Sequence, residues 1–319
     1  MEENKKFFIE NKKIWVAGSS GMVGKSIIKL LKRRKCELIF SDRKDLDLTD
    51  QRMVKTWMSK NKPDVIFLAA AKVGGIHANK SLPVNFLEEN LFINLNIIKN
   101  AFINGTEKLI NLGSSCIYPK NIVHSIREEK ILSGPLEETN QWYSLAKISG
   151  IKLCQAYRKQ FNCDFISVMP SNLYGPGDNF NPLNSHVPAA LLDRFHVAKI
   201  NNFEEVKVWG SGKPLREFLY VEDLANACIF LAEHYSSEEP INVGTGKEIS
   251  IKNFAQLIKK IVGFTGKIIF DTTKPDGVYK KVLNTEKVNK LGWHPETSLE
   301  SGLRKYYKWY LENIEDIRR

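Results

Sequence analysis

The sequence predicts an α/β fold, a doubly wound parallel sheet joined to a smaller α/β lobe, and three observations carry the prediction. Short apolar runs alternate with amphipathic stretches from residue 14 to residue 169, a glycine-rich turn joins the first run to the first amphipathic stretch, and the rhythm loosens only after Pro170. Strands alternating with helices are joined by crossovers, which cover both faces of a parallel sheet.

The elements follow in order. Ile14-Trp-Val-Ala17 reads as a strand, the stretch through Leu31 as a helix, and Glu37 to Phe40 as a second strand. Asp64 to Ala69 is a strand, Val84 to Ile103 a helix, Lys108 to Leu112 a strand, Tyr143 to Gln160 a helix, and Asp164 to Met169 a strand. From Ser171 to Pro188 Gly, Pro and Asn crowd together, which marks the crossing into a second lobe. The helix Asp223 to His234 and the strand Ile241-Asn-Val243 before Gly244-Thr-Gly246 read as returns to the first lobe, and residues from about Ile249 complete the second.

The totals agree. At 319 residues, 43% hydrophobic and 26% charged, the chain is long enough for two packed lobes with a cleft between them. No window approaches the roughly 18 consecutive apolar residues of a membrane span, and Met1 to Lys13 mixes Lys, Glu and Asn, so neither a signal peptide nor an anchor is expected. The five cysteines are unclustered and lack Cys-x-x-Cys spacing, which indicates neither a disulfide framework nor a metal site and suits a reducing cytoplasm. The net charge of +11 is spread along the chain without an aromatic-and-basic motif. It reads as a solvated surface with attraction for an anionic small substrate, and neither nucleic acid nor membrane is expected as a partner.

Gly18-Ser19-Ser20-Gly21-Met22-Val23-Gly24 lies between the first strand and the first helix. There glycines permit a tight turn and let the backbone approach a pyrophosphate at the helix N-terminus. With a second strand ending at Ser41-Asp42-Arg43, the context is that of a Rossmann-type dinucleotide site. An acid at that strand end takes ribose hydroxyls, whereas an arginine with small polar residues accommodates a 2′-phosphate. Asp42 argues for NAD(H) and Ser41 with Arg43 for NADP(H); Ser41 stands where the acid usually does, so NADPH is expected over NADH. Asp47 and Leu48 are expected near the adenine. Residues 1–170, with returns near 220–246, would then bind the dinucleotide, and residues 171–319 mainly the substrate.

A tyrosine is a poor proton shuttle at neutral pH unless a cation stabilises its phenolate. Tyr143 and Lys147, four residues apart, share one helix face. A serine of Ser114-Ser115, at the end of the preceding strand, can hold a substrate carbonyl against Tyr143. Strand, serine, then a helix bearing Tyr and Lys is the order a hydride-transfer site needs.

The chain resembles the extended short-chain dehydrogenase/reductase family, and within it the GDP-L-fucose synthases, over nearly its full length. The segments that carry the resemblance are the glycine turn, Ala69-Ala-Ala-Lys-Val-Gly-Gly75, Gly113-Ser-Ser-Cys-Ile-Tyr-Pro119, Tyr143-Ser-Leu-Ala-Lys147, Met169-Pro-Ser-Asn-Leu-Tyr-Gly-Pro176, Asn184-Ser-His186, Val208-Trp-Gly-Ser-Gly212, Arg216-Glu-Phe-Leu-Tyr-Val-Glu-Asp223 and Lys274-Pro-Asp-Gly277. The resemblance implies an NADPH-dependent enzyme that inverts C3 and C5 of a GDP-linked 4-keto-6-deoxy sugar and then reduces its C4 ketone. It implies that Ser114 and Tyr143 polarise O4, that Lys147 also holds the nicotinamide ribose, and that Cys116 and His186 are the epimerisation pair. A ketone acidifies the hydrogens on both neighbouring carbons, so an acid and a base can invert each centre through an enolate.

The resemblance also places Ala69, Ala70, Ala71, Pro170, Asn172, Leu173 and His186 at the cofactor. Ser115, Cys116, Asn172 and Asp276 fall at the sugar, and Arg194, Trp209 and Arg216 at the nucleotide. An arginine's planar fork suits a diphosphate. One departure concerns Ser20 and Ser41, where NADPH-using relatives often carry arginines. A 4-epimerase or dehydratase of the same superfamily is the nearest rival, although dehydratases follow the catalytic hydroxyl residue with Asp-Glu and this chain has Ser115-Cys116. A reductase lacking epimerase activity and a non-catalytic sensor are further alternatives. The sequence does not separate a hexose from a heptose derivative, and a homodimer through the Tyr143–Gln160 helix is expected.

Overall fold

In the computed structural model, which describes residues 6–41, 43–122, 124–182, 184–274 and 276–318, the chain opens with β1 (Lys13–Ala17), α1 (Met22–Leu31), β2 (Glu37–Ile39), α2 (Gln51–Asn61) and β3 (Val65–Leu68). The short α3 (Ile76–Ser81), α4 (Pro83–Ile103), β4 (Lys108–Leu112), α5 (Gln141–Phe161) and β5 (Phe165–Pro170) follow. After them come β6 (Asn172–Tyr174), α6 (Val187–Ile200), β7 (Glu205–Trp209), β8 (Leu215–Arg216), β9 (Phe218–Tyr220), α7 (Val221–His234) and β10 (Ile241–Val243). The chain continues through β11 (Ile249–Ser250), α8 (Ile251–Val262), β12 (Lys267–Asp271), β13 (Lys280–Lys281), α9 (Glu286–Lys290) and α10 (Leu299–Glu312).

The main sheet is six-stranded, β10-β5-β4-β3-β1-β2, and every pairing in it is parallel. Its strands read as unbroken apolar runs because both faces are covered. Ile14, Val16, Val65, Phe67, Ile110 and Ile166 enter one core with α1 and α7, while Trp15, Ile66, Leu68, Leu109 and Phe165 enter another with residues of α2, α4 and α5. Alternate residues of one strand thus face opposite layers. The sequence reading placed nothing between the second and third strands, where α2 lies. Its first turn is capped by the Asp50 carboxylate, which accepts from the amides of Arg52 and Met53, but only Val54 and Met58 are buried along it. Two buried positions are too thin a stripe for periodicity to register.

The second lobe has its own core, rich in aromatics: Tyr174, Phe180, Phe195, Phe218, Phe254 and Tyr306 are all buried in it. α8 shows why it forms, since Ile251, Phe254, Ala255, Ile258 and Val262 recur at helical spacing on its buried side. Each large apolar side chain so buried contributes roughly 1.5–3 kcal/mol. α7 follows β9 in sequence and packs Leu224, Ala225, Ala227, Cys228 and Leu231 into the α1 side of the sheet core. Small partner sheets, β6-β9, β7-β12 and β11-β8-β13, complete this part of the chain.

The carboxyl ends of β1, β3, β4 and β5 release Gly18, Ala69, Gly113 and Ser171 along one edge of the sheet, where parallel α/β sheets bind ligands.

Candidate active site

The glycine turn is built by close backbone approach. Gly18 has φ +91°, and a Cβ on it would stand 2.7 Å from the Ala70 amide nitrogen; a Cβ on Gly24 would stand 2.1 Å from the Gly18 carbonyl oxygen. Gly21 caps α1 with no side chain, so the first-turn amides have no side-chain acceptor and suit a phosphate. Ala69 donates its amide to the Ala17 carbonyl at 2.9 Å, which places Ala69, Ala70 and Ala71 beside the turn. Gly177 leans on the same turn, its Cβ position lying 3.4 Å from Met22 Cα, and it follows closely on Pro170, Asn172 and Leu173.

At the end of β2, the Ser41 hydroxyl accepts from the Trp15 indole at 3.1 Å and the Ser41 carbonyl accepts from the Ser19 hydroxyl at 3.3 Å. Ser41 is therefore anchored to a core tryptophan, while Ser20 and Arg43 are exposed. Asp42 lies outside the described residues. Asp47 accepts from the Thr49 amide and hydroxyl at 2.9 and 2.8 Å, bonds that hold its carboxyl below the ordinary range. The Leu48 carbonyl accepts from Asn96 on α4 at 3.0 Å, so both residues are fixed just before α2.

β4 delivers Ser114, and α5 delivers Tyr143 and Lys147. The Ser144 hydroxyl donates to the Cys116 carbonyl at 2.9 Å, which registers the start of α5 against the segment after Ser114. Phe86 of α4 meets the Tyr143 ring edge-on, with centroids 6.5 Å apart. Lys147 is buried, donates to the Leu112 carbonyl at 2.7 Å and lies 5.9 Å from the Tyr143 ring centroid. Burial lowers its ammonium to about 8. Burial and the nearby Cys116 push the Tyr143 phenol up, against the pull of a hydrogen bond from Ser114. Tyr143 is therefore a protonated phenol at neutral pH, beside a cation and a hydroxyl donor.

Cys116 shares this floor. Burial raises its thiol, but Lys281, which donates to Sγ at 3.1 Å, Ser114 and Arg216 together outweigh that and bring it below the ordinary range. His186 stands at the start of α6, where burial and then Lys281 hold its imidazole down. Cys116 and Tyr143 are half-buried and His186 is exposed, although protein is packed densely around all three. That combination belongs to groups on the floor of a cleft. The segment carrying His186 is pinned by the Gly75 amide, which donates to the Asn184 carbonyl at 3.0 Å. A Cβ on Gly75 would stand 3.1 Å from the Ser185 carbonyl oxygen.

The remaining site residues lie further along the cleft. Trp209, 59% exposed, has the Arg194 guanidinium 5.0 Å from its ring on the one hand and the Lys274 ammonium at 5.8 Å on the other. Arg216 ends β8 between the Cys116 thiol and Asp276, and burial lowers its guanidinium. The Asp276 carboxylate accepts from the Ser211 amide and hydroxyl at 2.6 and 2.7 Å, clamping the turn after Trp209. The Asn172 amide donates to the Glu217 carbonyl at 2.8 Å, and Ser115 is buried beneath Cys116. Residues the sequence did not signal are Lys281 and the fully buried Glu217, whose carboxylate accepts from the amides of Thr245, Gly246 and Leu283. A lysine in a lysine-rich chain and a glutamate inside a strand pattern carry no local mark of such partners.

The sequence model of the NAD dependent epimerase/dehydratase family matches residues 14–244. The GDP-L-fucose synthase of Sinorhizobium fredii is 52% identical over 310 residues, 97% of this chain and 99% of its own. That of Escherichia coli is 46% identical over 320 residues, 97% of this chain and 100% of its own. Among solved structures, the GDP-L-fucose synthetase of Naegleria fowleri bound to NADP superposes with a TM-score of 0.92 at 34% identity, covering 99% of both chains. With this parallel sheet, this glycine turn and relatives that match end to end, the chain belongs to the NAD dependent epimerase/dehydratase family and, within it, to the GDP-L-fucose synthases.

Proposed function

We infer that the chain is an NADPH-dependent oxidoreductase that takes a GDP-4-keto-6-deoxy sugar, inverts C3 and C5, and reduces the C4 ketone at the same site. What supports this reading is that Ser114, Tyr143 and Cys116 act on one another with Lys147 beside the Tyr143 ring, while Lys281 acts on both Cys116 and His186. The nearest atoms that a Cβ would meet at Gly18 and Gly24 are all backbone, so glycine keeps this turn tight and its helix amides open to a dinucleotide phosphate. When bound, NADPH supplies the hydride.

The chain's own residues supply the rest. Ser114 and Tyr143 hydrogen-bond O4 and stabilise the negative charge that develops there when a proton leaves C3 or C5. Cys116 and His186 remove and return those protons. In the reduction Tyr143 gives its phenolic proton to O4, and the Lys147 ammonium stabilises the phenolate until it is reprotonated from solvent. Arg216, Arg194 and Trp209 hold the diphosphate and nucleoside, residues 171–319 forming most of the sugar-nucleotide side and residues 1–170 most of the cofactor side. With Ser41 in place of the usual acid, a 2′-phosphate can meet Arg43, consistent with NADP in the Naegleria fowleri structure.

In deuterated water, with a GDP-4-keto-6-deoxyhexose, one NADPH is expected to be consumed per sugar and deuterium to appear at C3 and C5 of the product. No NADPH consumption with any of several GDP-4-keto sugars would reject the reductase reading, and reduction without exchange would reject the epimerase half.

α4 and α5 pack against each other, and their outer side exposes Phe92, Leu95, Leu145 and Phe161. Such a face supports a homodimer formed through these helices; light scattering should give twice the mass of 36.5 kDa, and the mass of one chain would reject it. Five free cysteines and the absence, among the described residues, of a helix able to cross a membrane favour a cytoplasmic enzyme.

A further inference from the structure

We propose that Lys281 is the positioning residue of the epimerisation pair: its ammonium, 3.1 Å from the Cys116 sulfur, holds that sulfur as the thiolate that takes the proton from the sugar carbon. This rests on the epimerase reading above.

Placement is the first argument. β13 pairs in parallel with β8 so that Lys281 lies beside Arg216. Neighbouring residues of a strand point to opposite sides, and here Lys280 pairs with Glu248 at 2.6 Å while Lys281 turns to Cys116. Two residues on, the Leu283 amide donates to the buried Glu217 carboxylate at 2.8 Å, and Val282 and Leu283 are buried. The backbone carrying Lys281 is thus held on one side by the strand pairing and on the other by a carboxylate that also gathers the Thr245 and Gly246 amides. The Lys281 backbone is therefore fixed within side-chain reach of the sulfur.

The charge around the sulfur is the second argument. Lys281 faces it from β13, Arg216 from β8, the Ser114 hydroxyl from the end of β4 and Tyr143 from α5, while His186 at the start of α6 feels the same ammonium. Among the described residues no carboxylate stands among the groups that act on Cys116, and Arg216 is shared with Asp276. Lys281 is therefore the nearest cation, and the sulfur is its hydrogen-bond partner. A thiolate is the form of cysteine that reacts as a base or nucleophile.

The step balances. The Cys116 thiolate takes the proton from C3 or C5, the S–H bond forms as the C–H bond breaks, and the electron pair moves to O4, where Ser114 and Tyr143 receive it. His186, protonated from solvent to the imidazolium, then gives that proton to the opposite face and returns to the neutral imidazole, and the Cys116 thiol loses its proton to solvent.

The test reads the sulfur directly. The rate at which iodoacetamide alkylates Cys116, followed by mass spectrometry of its peptide across a pH series in the absence of substrate, reports the thiolate fraction. Lys281→Met is expected to slow alkylation at neutral pH at least about tenfold, one pH unit in the profile, and Lys281→Arg to keep the wild-type profile. Lys281→Met should also lose more C3/C5 deuterium exchange than reverse oxidation of the GDP-sugar by NADP, which needs no carbon acid. An unchanged profile in Lys281→Met overturns the proposal, as does an Arg variant that behaves like Met; should the Met variant misfold, Lys281→Gln carries the same comparison. If wild type shows the thiolate profile but no deuterium exchange, the epimerase reading fails and the Lys281–Cys116 coupling stands.

Discussion

Tyr143→Phe is expected to lower the rate of C4 reduction by about two to four orders of magnitude, the range for removing a general acid, with NADPH affinity little altered. The substitution takes one oxygen and leaves the ring, so the edge-on contact with Phe86 and the position over Lys147 are kept. What goes is the only atom of residue 143 able to give O4 a proton. Single-turnover decay of NADPH checks it; a loss smaller than about tenfold would mean that another group protonates O4. The pH profile follows from Lys147. Its ammonium is brought down to about 8 by burial, so it is charged below that pH and neutral above it. Burial holds the Tyr143 phenol protonated through the same range. Reduction should therefore be flat toward neutral pH and fall as pH rises through about 8, as the cation that stabilises the phenolate is lost. A rate that climbs through pH 8 would contradict this assignment.

Cys116→Ser is expected to suppress deuterium incorporation at C3 and C5 by about two to four orders of magnitude while reverse oxidation of the GDP-sugar product survives far better. Serine is close in size and can still accept from Lys281, and the Ser144 hydroxyl bonds the residue-116 backbone carbonyl, which the substitution leaves in place. A hydroxyl, though, stays un-ionised where Lys281, Ser114 and Arg216 draw a thiol toward ionisation. The carbon-bound hydrogen then meets no base. Nuclear magnetic resonance of the product separates the two positions: exchange at the wild-type rate in Cys116→Ser would remove Cys116 from the reaction, and loss at one carbon only would split the pair's roles between C3 and C5.

Both experiments address groups that the sequence already singled out, and the reason is local. Tyr143 and Lys147 lie one helical turn apart, the serine closes a strand, and the glycine turn joins the first strand to the first helix, so each pattern is written in a few consecutive residues. The parallel sheet was legible for the same reason, because strands buried on both faces must be apolar throughout. α2 escaped notice where its stripe shrank to Val54 and Met58.

What only the tertiary structure decided are the partners across long chain separations. Cys116 and Lys281 are 165 residues apart, joined because β13 pairs with β8 and Glu217 ties down the Leu283 amide. Gly75 meets the His186 segment in the same manner, backbone to backbone, with no side chain to announce it. A sequence states which residues can titrate or react, since that is a property of each side chain. It does not state which of them are charged, because ionisation is set by burial and by the cations that folding brings within a few ångströms. In this chain the order of strand, serine and helix pointed to Tyr143 and Lys147, the family resemblance pointed to Cys116 and His186, and only the fold brought Lys281 and Arg216 to the Cys116 sulfur.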